Sequence, residues 1–354
     1  MPICLITRKE FGEEIRELVI RFDLLEDSFR IKSDQSHLII PISRELLNTE
    51  FEQLRNIDST LAVKNIDDLV KAKFHPHSHF DILKEKFSDE ELALTPRSFD
   101  TIGDIVVIEI PDELWGKRIV IGEALLKVHS SVKTVYAKAG KVDGVNRIRP
   151  VEYLIGENKT KTLYKEHGIR LAVDITQAYF SPRLSEEHTR IAKQVNDNEV
   201  IIDLFCGIGP FVLPIAKKTN SIIHAIDINP KAIELLRENI ALNKIKGKII
   251  PYCGDCREIV EKEKLENIAH RTIMNLPGYA IEFVDVACKV IKSEGGIIHF
   301  FEFVGGENPE KEIVENITRE IEKAGREVLK VLKVKKVRMS APKQWQMVAD
   351  VKII

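Results

Sequence analysis

The chain has 354 residues, a net charge of −2, and 44% hydrophobic against 31% charged residues. That balance belongs to a soluble globular protein of two or three domains and excludes a uniformly basic nucleic-acid binder. No apolar run reaches the roughly 20 residues of a membrane span. The start MPICLITRKEFGEE lacks a signal-peptide pattern, and five cysteines do not suggest a secreted disulfide framework, so a cytoplasmic location is expected.

Residues 1–62 mix a helical start, EFGEEIRELVIRF, with a strand-like run, HLIIPI at His37–Ile42, and read as a small α+β module. Residues 63–80 are polar and His-rich and read as a linker. Its HPHSH run, His75–His79, is either a metal trap or simply solvated. Residues 81–172 carry strand-like runs at IGDIVVIEI, KTVYAKA and GIRLAVDI, a second α+β domain.

From 173 to 354 the pattern changes. EVIIDLF, SIIHAIDI, GKIIPYC, RTIMNLP and GGIIHFFEF are short apolar runs of the buried parallel-strand type, separated by helical segments. Two further strands, EVLKVLKVKKV and WQMVADVKII, close the chain. The expected architecture is α/β: a doubly wound, Rossmann-like sheet at the C-terminus, preceded by two smaller α+β domains.

Charge is unevenly spread. Lys127–Arg170 holds ten Lys/Arg against four Asp/Glu, and Lys323–Lys343 eight against one, whereas Asp81–Glu113 has ten acids and three bases. Two basic faces on a near-neutral chain fit a polyanion held over a defined patch, or a solvated lysine-rich surface.

DLFCGIGPF, Asp203–Phe211, follows the first strand of the large sheet. Gly207 and Gly209 allow a tight turn and close approach of backbone to ligand, but the third glycine of a pyrophosphate fingerprint is missing. Asp227 ends the second strand, where an acid accepts hydrogen bonds from ribose hydroxyls, and Asp255 ends the third, beside an adenine edge. This combination is what an S-adenosylmethionine pocket needs; the alternative is a nucleotide-binding α/β domain of another type. The expected cofactor contacts are Arg183, Asp203, Phe205, Gly207, Gly209 and Asp227, with Ile228, Asn229, Asp255, Cys256 and Asn275.

Asn275-Leu-Pro-Gly ends the fourth strand. It is either a plain strand-ending turn stiffened by Pro277 or a device for holding N–H groups of a base beside the methyl donor. Gly278 stands where a thiolate nucleophile for pyrimidine C5 chemistry would be expected, which disfavours that mechanism. Cys253 and Cys256 form a CxxC with no second pair, so no metal site is expected and an incidental or disulfide-forming pair is preferred. In AYFSPRLSEEH, Tyr179 or Phe180 can stack on a base, Arg183 can bind a carboxylate or phosphate, and Glu187 can take a proton. Alternatively, Glu186 and Glu187 are merely first-turn helix acids.

Together NRIRP, AYFSPRLSEEH, DLFCGIGPF, IDINP, NLPG and the C-terminal SAPKQWQMVADVKI resemble the archaeal and eukaryotic tRNA (guanine-37-N1)-methyltransferases, specifically over Lys141–Ile354. The resemblance implies a class I methyltransferase that transfers a methyl group from S-adenosylmethionine to nitrogen-1 of guanosine 37, next to the anticodon. It implies tRNA bound through its anticodon stem-loop and outer corner, with residues 1–62 reading tRNA shape; a monomer is expected. By the same resemblance Arg147 neutralises charge on guanine O6, Glu187 is the general base, Asn275 positions the guanine, and Tyr179 lies beside it with Pro277 in the turn. His188 follows Glu187 where an arginine is expected, which leaves Glu186 as an alternative base. The competing readings are a wyosine-pathway relative that methylates C7 of the tricyclic guanosine derivative, an aminocarboxypropyl transferase, and an inactive tRNA-binding module.

Overall fold

The computed structural model describes residues 2–71, 76–140 and 148–354. They form two compact units, Met1–His77 and Ser78–Ile354.

The first unit contains β1 (Ile3–Arg8), α1 (Gly12–Arg21), β2 (Lys32–Ser33), β3 (His37–Ile42), α2 (Asn48–Ile57) and β4 (Ala62–Asn65). The strands pair antiparallel in the order β2-β3-β1-β4. Leu5 and Ile40 from the sheet meet Ile15, Val19 and Leu54 from the helices, because each helix repeats apolar residues on one side. Asp58, fully buried, accepts from the Thr7 hydroxyl at 2.8 Å and the Arg8 N–H at 2.9 Å. Against the raising effect of burial, hydrogen bonds from Thr60, Arg8 and Thr7 hold its carboxyl well below the usual range.

The expected linker, 63–80, is shorter in the structure. Polar as it is, β4 completes the sheet by backbone pairing with β1. At the other end Ser78 caps α3 (His79–Leu83), and the buried His79 ring lies 3.0 Å from the Pro96 carbonyl oxygen. His75 lies outside the described residues. Among the described residues no group of three or more His, Cys, Asp or Glu could hold a metal ion.

The second unit continues with α4 (Asp89–Leu94), β5 (Phe99–Ile102), β6 (Ile105–Ile108), α5 (Arg118–Val128), β7 (Thr134–Lys138) and β8 (Val151–Gly156). These strands form a sheet in order β5-β6-β7-β8, parallel only between β6 and β7, across which α5 makes the crossover. A hairpin follows, β9 (Lys161–Glu166) and β10 (Ile169–Asp174). Sequence reading assigns this hairpin to the middle domain. Its Ile169, Leu171 and Val173 instead pack into the core of the C-terminal sheet.

That last layer runs α6 (Ser185–Gln194), β11 (Val200–Asp203), α7 (Val212–Lys218), β12 (Ile222–Asp227), α8 (Pro230–Leu242), β13 (Lys248–Cys253) and α9 (Cys256–Lys262). It ends with β14 (Arg271–Met274), α10 (Val284–Val290), β15 (Gly296–Gly305), α11 (Pro309–Lys323), β16 (Val328–Ala341) and β17 (Gln344–Ile353). The order is β13-β12-β11-β14-β15-β17-β16; the first five are parallel and the terminal pair antiparallel. Helices cover both faces, so β14 is buried at every residue, as its unbroken apolar run requires. The chain winds outward from β11 to β13 and then returns to β14. A topological switch point therefore lies between the C-terminal ends of β11 and β14.

Candidate active site

At that switch point lies a cavity of about 230 Å³. Its lining brings together Tyr179, Phe205, Gly207, Asp227 and Ile228 with Asn229, Asp255, Cys256, Asn275 and Pro277. Four strand ends and the segment before α6 thus converge on one space, although their residues span almost 100 positions of sequence.

The loop after β11 is held by the acid ending β12. Asp227 accepts the Gly207 N–H at 2.7 Å with one oxygen and the Asn229 N–H at 2.9 Å with the other. Asn229 in turn caps α8 through the Lys231 N–H at 2.9 Å. Gly207 has φ +54°, and a side chain there would meet nothing closer than the Tyr179 carbonyl oxygen at 3.9 Å. The open side of this turn is left to a ligand. Gly209 is required for a different reason: with φ +93°, a Cβ would lie 2.5 Å from Leu236 of α8. It fixes loop-to-helix packing and does not line the cavity. Asp203 also lies beneath the wall, fully buried, with one oxygen accepting from Phe205 N–H and the other without a partner among the described residues. Burial pushes its carboxyl up to about 8, aided by the nearby Asp227.

The Asn275–Gly278 turn faces this loop. Asn275 Oδ1 is buried without a hydrogen-bond partner among the described residues, an acceptor placed for a donor from a ligand. The turn is braced by the next strand: Glu302 on β15 accepts the Gly278 N–H and, at 2.8 Å, the Phe303 N–H. Gly278 has φ +92° and packs near Phe303. Cys256 is no nucleophile in this setting, since burial pushes its thiol up to about 12. Cys253 and Cys256 are both free thiols; the disulfide-forming alternative is not what the structure contains.

Two more expected residues stand elsewhere. Arg183 lines a second cavity and pairs with Asp100 of β5 at 2.6 Å, because the proline-fixed turn before α6 directs it across to the middle domain. Glu187 is 1% exposed and off the lining; its oxygens meet Lys335 Nζ at 2.9 Å and Arg190 Nε at 2.6 Å. Arg147 lies outside the described residues.

The structure adds residues to which the sequence reading gave no place in the site. His188 reaches the lining with Nδ1 2.7 Å from Glu166. Arg338 of β16 lines both cavities. Its position inside the basic run was visible in the sequence, but its inward face was not.

The family models that match are the TRM5/TYW2 methyltransferase domain over residues 162–334, the TYW2 N-terminal domain over 80–160 and the Trm5 N-terminal domain over 4–50. A tRNA (guanine(37)-N(1))-methyltransferase Trm5b of Methanocaldococcus jannaschii is 41% identical over 310 residues, covering 85% of this chain and 86% of its own. The Trm5b of Pyrococcus abyssi is 37% identical, covering 97% and 96%. The solved complex of aTrm5 with tRNALeu superposes with a TM-score of 0.79 at 36% identity, over 100% of both chains. With a methyltransferase fold, a cofactor-shaped loop and relatives alike over nearly their whole length, this chain belongs to the TRM5/TYW2 family of methyltransferases.

Proposed function

We propose that the chain transfers a methyl group from S-adenosylmethionine to nitrogen-1 of guanosine 37 in tRNA. The observation that carries this reading is Asn275 Oδ1, a buried acceptor with no partner among the described residues, beside the Gly207 loop. S-adenosylmethionine, when bound, supplies an electrophilic methyl group. Asp227 and Asp255 suit its ribose and adenine, and the open face of Gly207 leaves room for close approach.

The remaining work falls to the chain's own side chains. Asn275 Oδ1 accepts an N–H of the guanine and fixes its edge, with Pro277 stiffening the turn; Tyr179, 38% exposed at the rim, stacks on the base. Nitrogen-1 carries a proton at neutral pH, so Glu187 is proposed to accept it and Arg147 to balance the charge on O6. Both Glu187 oxygens are engaged by cations, so this role requires one contact to be exchanged for the guanine. tRNA is bound through its anticodon stem-loop and outer corner, by a monomer acting in the cytoplasm. Among the described residues no helix is long and apolar enough to cross a membrane.

The test is substrate identity. A tRNA transcript with guanosine 37 should gain one methyl group, and the same transcript with adenosine 37 should gain none; equal methylation of both would reject the reading.

A further inference from the structure

The second cavity, about 280 Å³, shares Tyr179, Phe180, Ser181, Phe303 and Arg338 with the first, so the two are neighbouring compartments. Its ionisable walls hold four cations, Lys138, Arg149, Arg183 and Arg338, against two carboxylates, Asp100 and Glu109. Both carboxylates already have partners: Lys138 reaches Glu109 at 3.1 Å, and Arg183 reaches Asp100 at 2.6 Å. Arg149 and Arg338 are the excess.

Arg338 is also aimed. Its Nε donates to Gln346 at 2.7 Å, one Nη to Ser181 Oγ at 3.3 Å, and the other to the Tyr179 hydroxyl at 3.1 Å. A guanidinium has five N–H groups, so one on each Nη remains, the fork that grips a phosphate. Three hydrogen bonds hold this fork at the boundary between the compartments.

We propose that the second cavity is a phosphate subsite, in which Arg338 and Arg149 bind a backbone phosphate flanking the target guanosine. This rests on the reading of the first cavity as the methylation site. A nucleotide whose base enters one compartment must place its phosphate within a few bonds' reach, and the adjoining compartment has the matching charge. Arg338 thereby ties phosphate capture to Tyr179, on which the base is proposed to stack.

Single methylphosphonate linkages, which are neutral, placed 5′ or 3′ of guanosine 37 in a ligated tRNA test this. For the wild type, at least one position should weaken tRNA binding at least about tenfold, the loss of one charged hydrogen-bonded contact. In an Arg149→Ala/Arg338→Ala variant the same linkage should change binding less than about twofold, since its partner is already gone. Equal losses in variant and wild type would overturn the subsite, as would no loss at either position in the wild type. Circular dichroism reports folding, since Arg338 also lines the first cavity; if the double variant is unfolded, Arg149→Gln/Arg338→Gln is read the same way. Failure of the wild type to methylate unmodified tRNA would instead overturn the functional reading and leave the charge of the cavity unexplained.

Discussion

Lys335, in the basic terminal strand β16, donates to the buried carboxylate of Glu187 on α6 across 2.9 Å. The basic run is therefore not one uniform face. Part of it turns inward: Lys335 to Glu187, and Arg338 to Tyr179 and Ser181. Behind Glu187 the charges continue, since Arg190 joins Glu187 to Asp350, and Asp350 meets His299 Nδ1 at 2.7 Å.

Glu187→Gln should lower single-turnover methylation at least about a hundredfold, the lower range for loss of a general base. Glu186→Gln should stay within about threefold, because that side chain is 88% exposed and only 3.8 Å from Lys335. Rapid-quench kinetics with saturating tRNA measure both. A large loss in the Glu186 variant alone would transfer the role to Glu186.

Asp350 is almost fully buried. Against the effect of burial, His299 and Arg190 hold its carboxyl well below the usual range. Asp350→Ala removes the shared anion, taking the carboxylate from His299 Nδ1 and leaving Arg190 with Glu187 alone. Stability in denaturant melts should fall by about 3 kcal/mol or more, the typical result of breaking a buried pair.

Asp203 gives stability a pH dependence of its own. Its carboxyl is raised to about 8 in the folded chain, so folding favours the protonated form. That contribution is complete below the unfolded pKa near 4 and is lost as pH rises through about 8. Asp203→Asn should flatten the fall in stability between pH 5 and 8, read from melting temperatures across that range. An unchanged pH profile would remove Asp203 as its source.

Elsewhere along β16, Lys330 and Lys333 are exposed. Neutralising both should reduce the slope of log affinity for tRNA against log salt by about 2, one per lost phosphate contact. No change in slope would mark them as an ordinary solvated face.

Much of this was legible in the sequence because periodicity and burial are local signals. The five parallel strands stand out as unbroken apolar runs, and Asp227, Asn275 and Gly207 fall at strand ends that topology then brings together. What escaped depends on partners distant in sequence. Arg183 looks like a cofactor ligand until Asp100, 83 residues earlier, claims it. Strand β4 lacks an apolar run and completes its sheet by pairing with β1, about 60 residues earlier. Whether Arg338 faces inward depends on strand register, and β16 shifts register four times against β17.

The central claim is that Asn275 presents guanine nitrogen-1 for methylation. The most direct measurement is nucleoside mass spectrometry of a tRNA transcript with guanosine 37, after single-turnover reaction with wild type and with Asn275→Ala. The wild type should yield 1-methylguanosine at position 37, and the variant should form it at least about tenfold more slowly with S-adenosylhomocysteine still bound. A methylguanosine other than the 1-methyl isomer, or an unimpaired variant, would contradict the account.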